Sequence, residues 1–494
     1  MLARWLSRLA GARMDASTGW EAGGTGRRFH RWAPGIDTAH TALVASLPNL
    51  RARSREIIRR NAWAANAVET YMANAVGTGI KPMPVLDDTG AKARMQALWL
   101  DWTDDADAAG VTDFYGLQAL ACRAMIEAGE CFLRFRPRRL EDGLAVPLQI
   151  ELLEAEQLPL TLDRDEPGGR SIRSGIEFDA IGRRKAYHFL RRHPGLGVST
   201  ESVPVPASEI VHLYKPLRPG QLRGVPWLAP VLLKLHELDQ YDDAALVKAK
   251  VAALFTGFVT EDLPQDAFGE DADDAETDED GAALVSLEPG TMQKLPPGTD
   301  VKFSQPAGPG ADFDPFVRHH IRAVAVGMGQ TYEQVSGDLT GVNYSSIRAG
   351  VLEFRRRCEQ FQHAVLVWQM CRPVWQRWLA EAVLAGALDL PGYARNSRER
   401  RRWESVRWVP QGWKWVDPLK DGKAAEAAVR NGFRSRSDVI AENGEDPEQV
   451  EQEIAADNAR ADRLDLRFDS DGRLRTRSGA AQPDASADAA DSQN

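Results

Sequence analysis

Residues 336–357 read SGDLTGVNYSSIRAGVLEFRRR, and the character of the chain changes in the middle of them. The first half is Gly, Asp, Asn, Ser and Thr with almost no apolar content. The second half opens a helical pattern that continues to about Gly386, with no proline between the halves. Ile347, Val351, Phe354, Cys358, Phe361, Val365, Trp368 and Cys371 recur at spacings of three and four, one sustained apolar face. Gly337, Gly341 and Asn343 permit unusual backbone angles in the polar half. Ser345 or Ser346 is placed to cap the helix. Pro373 should kink it or mark a boundary.

Upstream, "DFDPFVRHHIRAVAVGM" predicts a helix over 312–328, with His319 and His320 on different faces as a surface pair. Before it, residues 257–311 are rich in Pro and Gly, with strand-like flanks around an acidic run at 270–280. That run holds eight carboxylates and no base, the composition of a solvated loop. A long helix is expected over 226–256, from Leu228, Leu232, Leu235, Leu238, Tyr241, Ala245, Ala249 and Ala252. Pro226 suits its first turn, Pro230 should stay within that turn or kink the start, and Gly257 is a stop. Helix, insertion, helix, polar loop, long helix: this order is the informative signal.

Farther out, "CFLRFRP" alternates apolar and basic residues, and residues 131–215 read as a small β-rich part. Residues 48–77 predict one helix, and roughly 90–130 a helical region. Trp403, Trp408, Trp413 and Trp415 suggest a satellite core, followed by helical patterns at 419–431 and 447–461. The fold class is α+β.

The chain has 494 residues, 43% hydrophobic and 27% charged, ordinary for a globular protein with a core. Its net charge is −10, which argues against bulk nucleic-acid binding by charge. Residues 1–60 run the other way, with eleven Arg against four carboxylates, and read as a basic, solvated arm. Cys122, Cys131, Cys358 and Cys371 form no Cys-x-x-Cys pair and are expected as buried free thiols. No run of eighteen apolar residues predicts a membrane span.

No P-loop, dinucleotide fingerprint, H-E-x-x-H or G-x-S-x-G is present. "DSDGR" at 469–473 begins like a calcium loop but lacks the closing Glu, so a turn is expected. No catalytic, cofactor-binding or metal-binding residue is assigned, and the chain is read as a non-enzyme.

Three blocks carry a family resemblance: "RGVPWLAPVLLKLHELDQYDDAALVKAKVAALFTGFV" (223–259), "GMGQTYEQVSGDLTGVNYSSIRAGVLEFRR" (327–356) and "PQGWKWVDPLKDGKAA" (410–425). "NAVGTGIKP" (74–82) and "EIVHLYKPLRPGQLRGVP" (209–226) agree with them. The segment resembles the lambda-type portal proteins of tailed bacteriophages. The resemblance implies a portal-type subunit with a β-containing wing, two stem helices flanking a small clip, a tunnel loop, a long kinked helix and an α-helical crown.

On this sequence the implied parts are a basic arm (1–47), wing (48–225), stem helix (226–256) and clip with its acidic loop (257–311). A second stem helix (312–328), tunnel loop (329–345) and long helix (346–385) follow. Wing return and crown (386–475) and a disordered tail (476–494) complete the chain. Gly337, Asp338, Thr340, Gly341, Asn343, Tyr344 and Arg348 are the candidate tunnel-loop and DNA-channel residues. The implied assembly is a ring of identical copies, usually twelve, at one capsid vertex of the virion, built in the host cytoplasm. Implied partners are double-stranded DNA as cargo, the terminase large subunit, a head–tail adaptor, and capsid and scaffold proteins, with no membrane. The competing reading is another head–tail connector or a packaging ATPase or nuclease, which the missing P-loop and metal site count against.

Overall fold

The computed structural model describes residues 37–197, 201–254, 258–261, 299–302, 313–413 and 417–468. The acidic run 270–280, most of 257–311, nearly all of the basic arm, Trp415, "DSDGR" and the tail lie outside the described residues.

The described residues open with α1 (Ala39–Val44), α2 (Leu47–Arg60) and α3 (Ala62–Ala75). The single helix expected over 48–77 is therefore two. Asn61 breaks it by taking extended angles (φ −100°, ψ 119°) and capping α3, its Oδ1 accepting from Ala64 N at 3.0 Å. The restart shifts the register, so Ala64, Ala67, Val68, Tyr71 and Ala75 are buried, while Ala62 is exposed. After β1 (Lys81–Pro84), the region expected over 90–130 is likewise two helices, α4 (Thr89–Asp105) and α5 (Phe114–Ala128). Between them the Asp107 carboxylate accepts from the N–H groups of Ala109, Val111 and Thr112 at 3.0, 2.8 and 3.2 Å.

The β-rich part follows: β2 (Glu130–Pro137), β3 (Leu148–Leu153), β4 (Arg164–Glu166), β5 (Arg170–Arg173), β6 (Ile176–Phe178), β7 (Arg184–Leu190), β8 (Ser202–Pro206) and β9 (Ile210–Tyr214). They form two antiparallel sheets, β3-β2-β9 and β4-β5-β6-β7-β8. Strand alternation makes β2 serve two cores. Cys131, Leu133 and Phe135 face the helices, and Phe132 joins Ile176, Tyr187, Phe189 and Val205 in a smaller core.

Helix α6 (Leu232–Leu254) starts six residues later than the sequence predicts. Trp227–Val231 are turns: Pro226 is harmless in a first turn, but Pro230 lacks the N–H that a start at 226 would donate to the Pro226 carbonyl. Strands β10 (Phe258–Glu261) and β11 (Thr299–Lys302) pair antiparallel and bring the two ends of the insertion together. Helix α7 (Phe313–Met328) leads to a short α8 (Tyr332–Ser336), inside the stretch read as loop.

Helix α9 (Tyr344–Phe361), a π-helical segment (Gln362–Cys371) and α10 (Arg372–Leu384) form one continuous helical run. The π register changes the apolar stripe. Buried positions fall at Phe361 and Gln362, Val365 and Leu366, then Met370 and Cys371, a step of four and then of five residues where the sequence pattern implies three and four. Trp368, placed on the stripe by sequence, is turned outward and is 60% exposed. The cause lies at Pro373. In an α register its ring would crowd the carbonyl four residues back, and the wider turn, with Arg372 N–H reaching Val367 O, relieves that. Helix α11 (Ser397–Trp403), β12 (Val406–Val409), α12 (Pro418–Arg430), α13 (Arg436–Glu442) and α14 (Pro447–Arg463) complete the described residues. Strand β12 pairs with β1, and Trp403, Trp408 and Trp413 pack against the main core rather than forming their own.

That main core joins α2–α5, the start of α6, α7–α10 and the sheet β3-β2-β9. Trp99 lies at its centre, with ring centroids 5.0 Å from Trp378 and 5.2 Å from Trp375. All four cysteines are buried free thiols, and burial pushes Cys122, Cys131 and Cys358 up to about 12.

The two cores meet at a buried ionic knot. Glu130 Oε1 accepts from Arg51 Nη2 at 2.5 Å and Arg223 Nε at 2.7 Å. Its Oε2 accepts from Gly224 N at 2.7 Å and His212 Nε2 at 3.0 Å. Arg223, fully buried, spends its other N–H groups on the carbonyls of Ala155, Leu158 and Ser174 at 3.0–3.1 Å. Burial opposes ionisation of Glu130, but Arg223 and Arg51 outweigh it and hold the carboxyl well below its ordinary value. Burial depresses His212 to about 4, so the ring is neutral near pH 7. Its Nδ1 accepts from Arg184 Nη1 at 3.3 Å, which places the single ring proton on Nε2, toward Glu130. Gly224 has to be glycine here, since a Cβ would stand 1.9 Å from Gly129 O.

Candidate functional site

The polar stretch between α7 and α9 is anchored at its base and open at its tip. Gly329 (φ 74°) ends α7 in the left-handed region. Thr331 and Gln334 then form a capping box: Gln334 N donates to Thr331 Oγ1 at 3.3 Å, and Thr331 N to Gln334 Oε1 at 3.0 Å. Helix α3 clamps this base. Asn66 Nδ2 donates to the carbonyls of Gln334 and Val335 at 2.8 and 2.9 Å, and Gln330 Nε2 donates to Ala67 O at 2.7 Å. The Val335 side chain enters the main core.

Gly337 (φ 71°) closes α8, as the sequence anticipates for a residue needing unusual angles. Asp338 organises the turn that follows. Its Oδ1 accepts from Thr340 N at 2.9 Å and Thr340 Oγ1 at 2.5 Å, and its Oδ2 from Tyr332 OH at 3.1 Å. The Thr340 hydroxyl and amide hold this carboxyl below the usual carboxylate range. Arg318 on α7 stands 3.6 Å from the same carboxylate and 2.9 Å from Asp314. Leu339, Thr340 and Gly341 (φ 74°) form the exposed tip, with Leu339 65% exposed.

Asn343, rather than Ser345 or Ser346, caps α9: its Oδ1 accepts from Ser346 N at 2.8 Å. Tyr344 is the first residue of α9. Arg348 pairs with Asp421 of α12 at 2.9 Å, a contact within the subunit. Five of the seven candidates thus lie on the loop and two, Tyr344 and Arg348, on the first turns of α9, and their tasks differ. Asp338 and Asn343 fold the loop, Arg348 ties α9 to α12, and Gly337, Thr340 and Gly341 lie at or beside its exposed tip. Tyr332, Arg318, Asn66 and Gln330 are the positioning residues that sequence reading missed. Only Thr331–Gln334 carried a signal, the spacing of a capping box.

Among the described residues, Glu154, Glu156 and His193 lie within metal-ligand reach of one another. Arg55 forks onto Glu156 at 2.8 and 3.0 Å and stands 3.7 Å from Glu154, so the group reads as an ion-pair cluster. His319 and His320 have ring centroids 5.5 Å apart, with His319 exposed and His320 half-buried against Phe316. No helix among the described residues is long and apolar enough to cross a membrane.

Residues 25–362 match the family described as phage portal protein, lambda family. The probable portal protein of Halomonas phage phiHAP-1 is 32% identical over 330 residues, 64% of this chain and 61% of that protein, thus less than two thirds of its length. The portal protein of Escherichia phage N15 is 23% identical over 473 residues, 87% of each chain. Portal protein B of Escherichia phage lambda is 22% identical over 479 residues, 87% of this chain and 88% of its own. Among solved structures, a chain in the neck of a native gene transfer agent particle, computed with C12 symmetry, aligns at a TM-score of 0.47. That alignment has 12% identity and covers 81% of this chain and 94% of the other. The family match spans more than half of the sequence, and the chain belongs to the lambda family of phage portal proteins.

Proposed function

We propose that this chain closes into a ring of twelve identical subunits at one vertex of a bacteriophage head, the conduit for double-stranded DNA during packaging and ejection. The observation that carries this reading is the lambda-family portal match over residues 25–362. Exposed apolar side chains support assembly: Leu233 and Leu246 on α6 are 71% and 54% exposed, and Phe316 and Val326 on α7 are 43% and 76% exposed. Apolar side chains left in water gain by burial against another copy, and head-to-tail contacts between identical copies close a ring when the rotation closes.

In this reading α6 and α7 are the stem and 257–311 is the clip. The β10–β11 pair supports that assignment, because it makes the insertion leave and rejoin the stem at one place. The clip is the docking platform for the terminase large subunit and a head–tail adaptor, and the wing meets capsid and scaffold proteins. Residues 329–345 are the tunnel loop, with the exposed tip around Thr340 toward DNA. The subunit performs no catalysis; it is made in the host cytoplasm and stays in the virion. Negative-stain images of the purified protein should show rings with a central hole. Monomers persisting at micromolar concentration would overturn the reading, and phosphate release by clean protein would favour a packaging enzyme instead.

A further inference from the structure

We infer that the outward face of the π segment around Trp368 is one half of a contact between subunits, and that the other half is helix α14 of a neighbouring copy. The inference rests on the ring reading above. Trp368 is 60% exposed, with the Arg372 guanidinium stacked 4.9 Å from its ring. Grooves of about 900 and 820 Å³ flank it and share Trp368, Gln376 and Glu404 as their common wall. Basic groups dominate: Arg377 and Arg400 line the first groove, Arg372 and Arg401 the second, against the carboxylates of Glu404 and Glu359. Glu404 is already engaged by Gln376 Nε2 at 3.1 Å and Tyr393 OH at 3.2 Å. An exposed Trp beside Arg, set between concave walls, is the composition of an interface hot spot, and its charge calls for an acidic, aliphatic partner.

The same chain carries such a surface. Helix α14 is held at its start by Asp446, which accepts from Gln96 Nε2 at 2.9 Å, and by the Glu448–Lys92 pair. Beyond that, Glu451–Asp457 are all exposed. Val450, Ile454 and Ala461 fall on one stripe of this helix, with Asp457 on the same stripe, Glu451 and Glu453 beside it, and Leu464 just past the helix end. Ile454 and Leu464 are 43% and 58% exposed.

The two surfaces also fall on different faces of α10. Trp375 faces the side where α14 attaches, while Gln376, Arg377 and Ala380 face the Trp368 grooves. Two different, complementary surfaces on one subunit make a heterologous contact, the kind that propagates around a ring.

The test places cysteines at both faces, Trp368→Cys with Ile454→Cys, in the full chain, where the four native thiols are buried. Mild oxidation should give a ladder of disulfide-linked dimers, trimers and higher species, absent from either single variant. Separately, Trp368→Ala and Ile454→Glu should each raise the concentration for half-assembly by about tenfold or more. Circular dichroism should be unchanged, and so should melting below the assembly concentration, since both positions are exposed in the single subunit. Wild-type rings with no ladder and unchanged assembly of the variants would overturn this contact and leave the ring reading standing. A monomeric wild type would overturn both.

Discussion

Glu130 is a single carboxylate holding two buried guanidiniums, an imidazole and a backbone amide, and it joins two cores. Removing its charge strands Arg51 and Arg223 in low dielectric, where an uncompensated buried charge costs about 3–5 kcal/mol. Glu130→Gln, nearly isosteric, should therefore lower the unfolding free energy from urea titration by that much; a loss below about 1 kcal/mol would mean the arginines are satisfied by the carbonyls alone. His212 adds a pH dependence. Its folded value is about 4, against 6.5 for an ordinary imidazole, so between those values the unfolded chain binds more protons. Stability is fully present above pH 6.5 and falls as the pH drops through this window, by on the order of 3 kcal/mol at 1.36 kcal/mol per unit. Glu130, held below its ordinary value, acts in the same direction but only below about pH 4.5. Urea midpoints at pH 7.5, 6 and 5 read the histidines, His320 included, since burial lowers its value too; the comparison with a His212 variant isolates His212. His212→Gln, whose amide can still donate to Glu130 and accept from Arg184, should flatten the slope; an equal slope in both proteins would assign the effect elsewhere.

At the scale of elements, the loop before α9 and the π segment within the long helix show what pattern can and cannot reveal. The alternation of "CFLRFRP" marks β2, and the apolar spacing of 313–328 marks α7, because burial on one face imposes a period that one sequence displays. The breaks are harder to see. Asn61 splits a helix through one side-chain hydrogen bond, and α8 is five residues whose stability comes from the clamp by Asn66 on α3, far away in sequence. The π register is invisible to a search at three and four, although Pro373 was the right place to expect a disturbance. The Glu130 knot draws on residues from α2, β2, β9 and the turn before α6, and no local pattern announces it. The loop's anchors lie outside its tip, which gives a direct test. Replacing residues 338–342 by a Gly-Ser run of equal length keeps Gly337, the Asn343 cap and every contact to α3. Rings should form normally, and phage carrying the variant should package or retain less DNA. Loss of folded protein would show instead that the Asp338 turn is structural.

At the scale of the molecule, charge separates a conduit from a clamp. Twelve copies of a chain with net charge −10 carry −120. Salt screens this beyond about 10 Å, so the residues nearest the duplex decide its grip. Of the seven proposed channel residues the sole cation is Arg348, and its guanidinium rests on Asp421, while Asp338 is a carboxylate held ionised. Each phosphate neutralised by a lysine or arginine adds about 0.9 to the salt slope of binding to B-form DNA. A ring with this lining should bind duplex weakly, with a slope magnitude below about 2 between 50 and 200 mM salt. Fluorescence anisotropy of a labelled duplex titrated with assembled rings measures it directly. A slope of about 5 or steeper would mean that basic groups elsewhere grip the phosphates, and would replace a passive channel with one that holds its cargo.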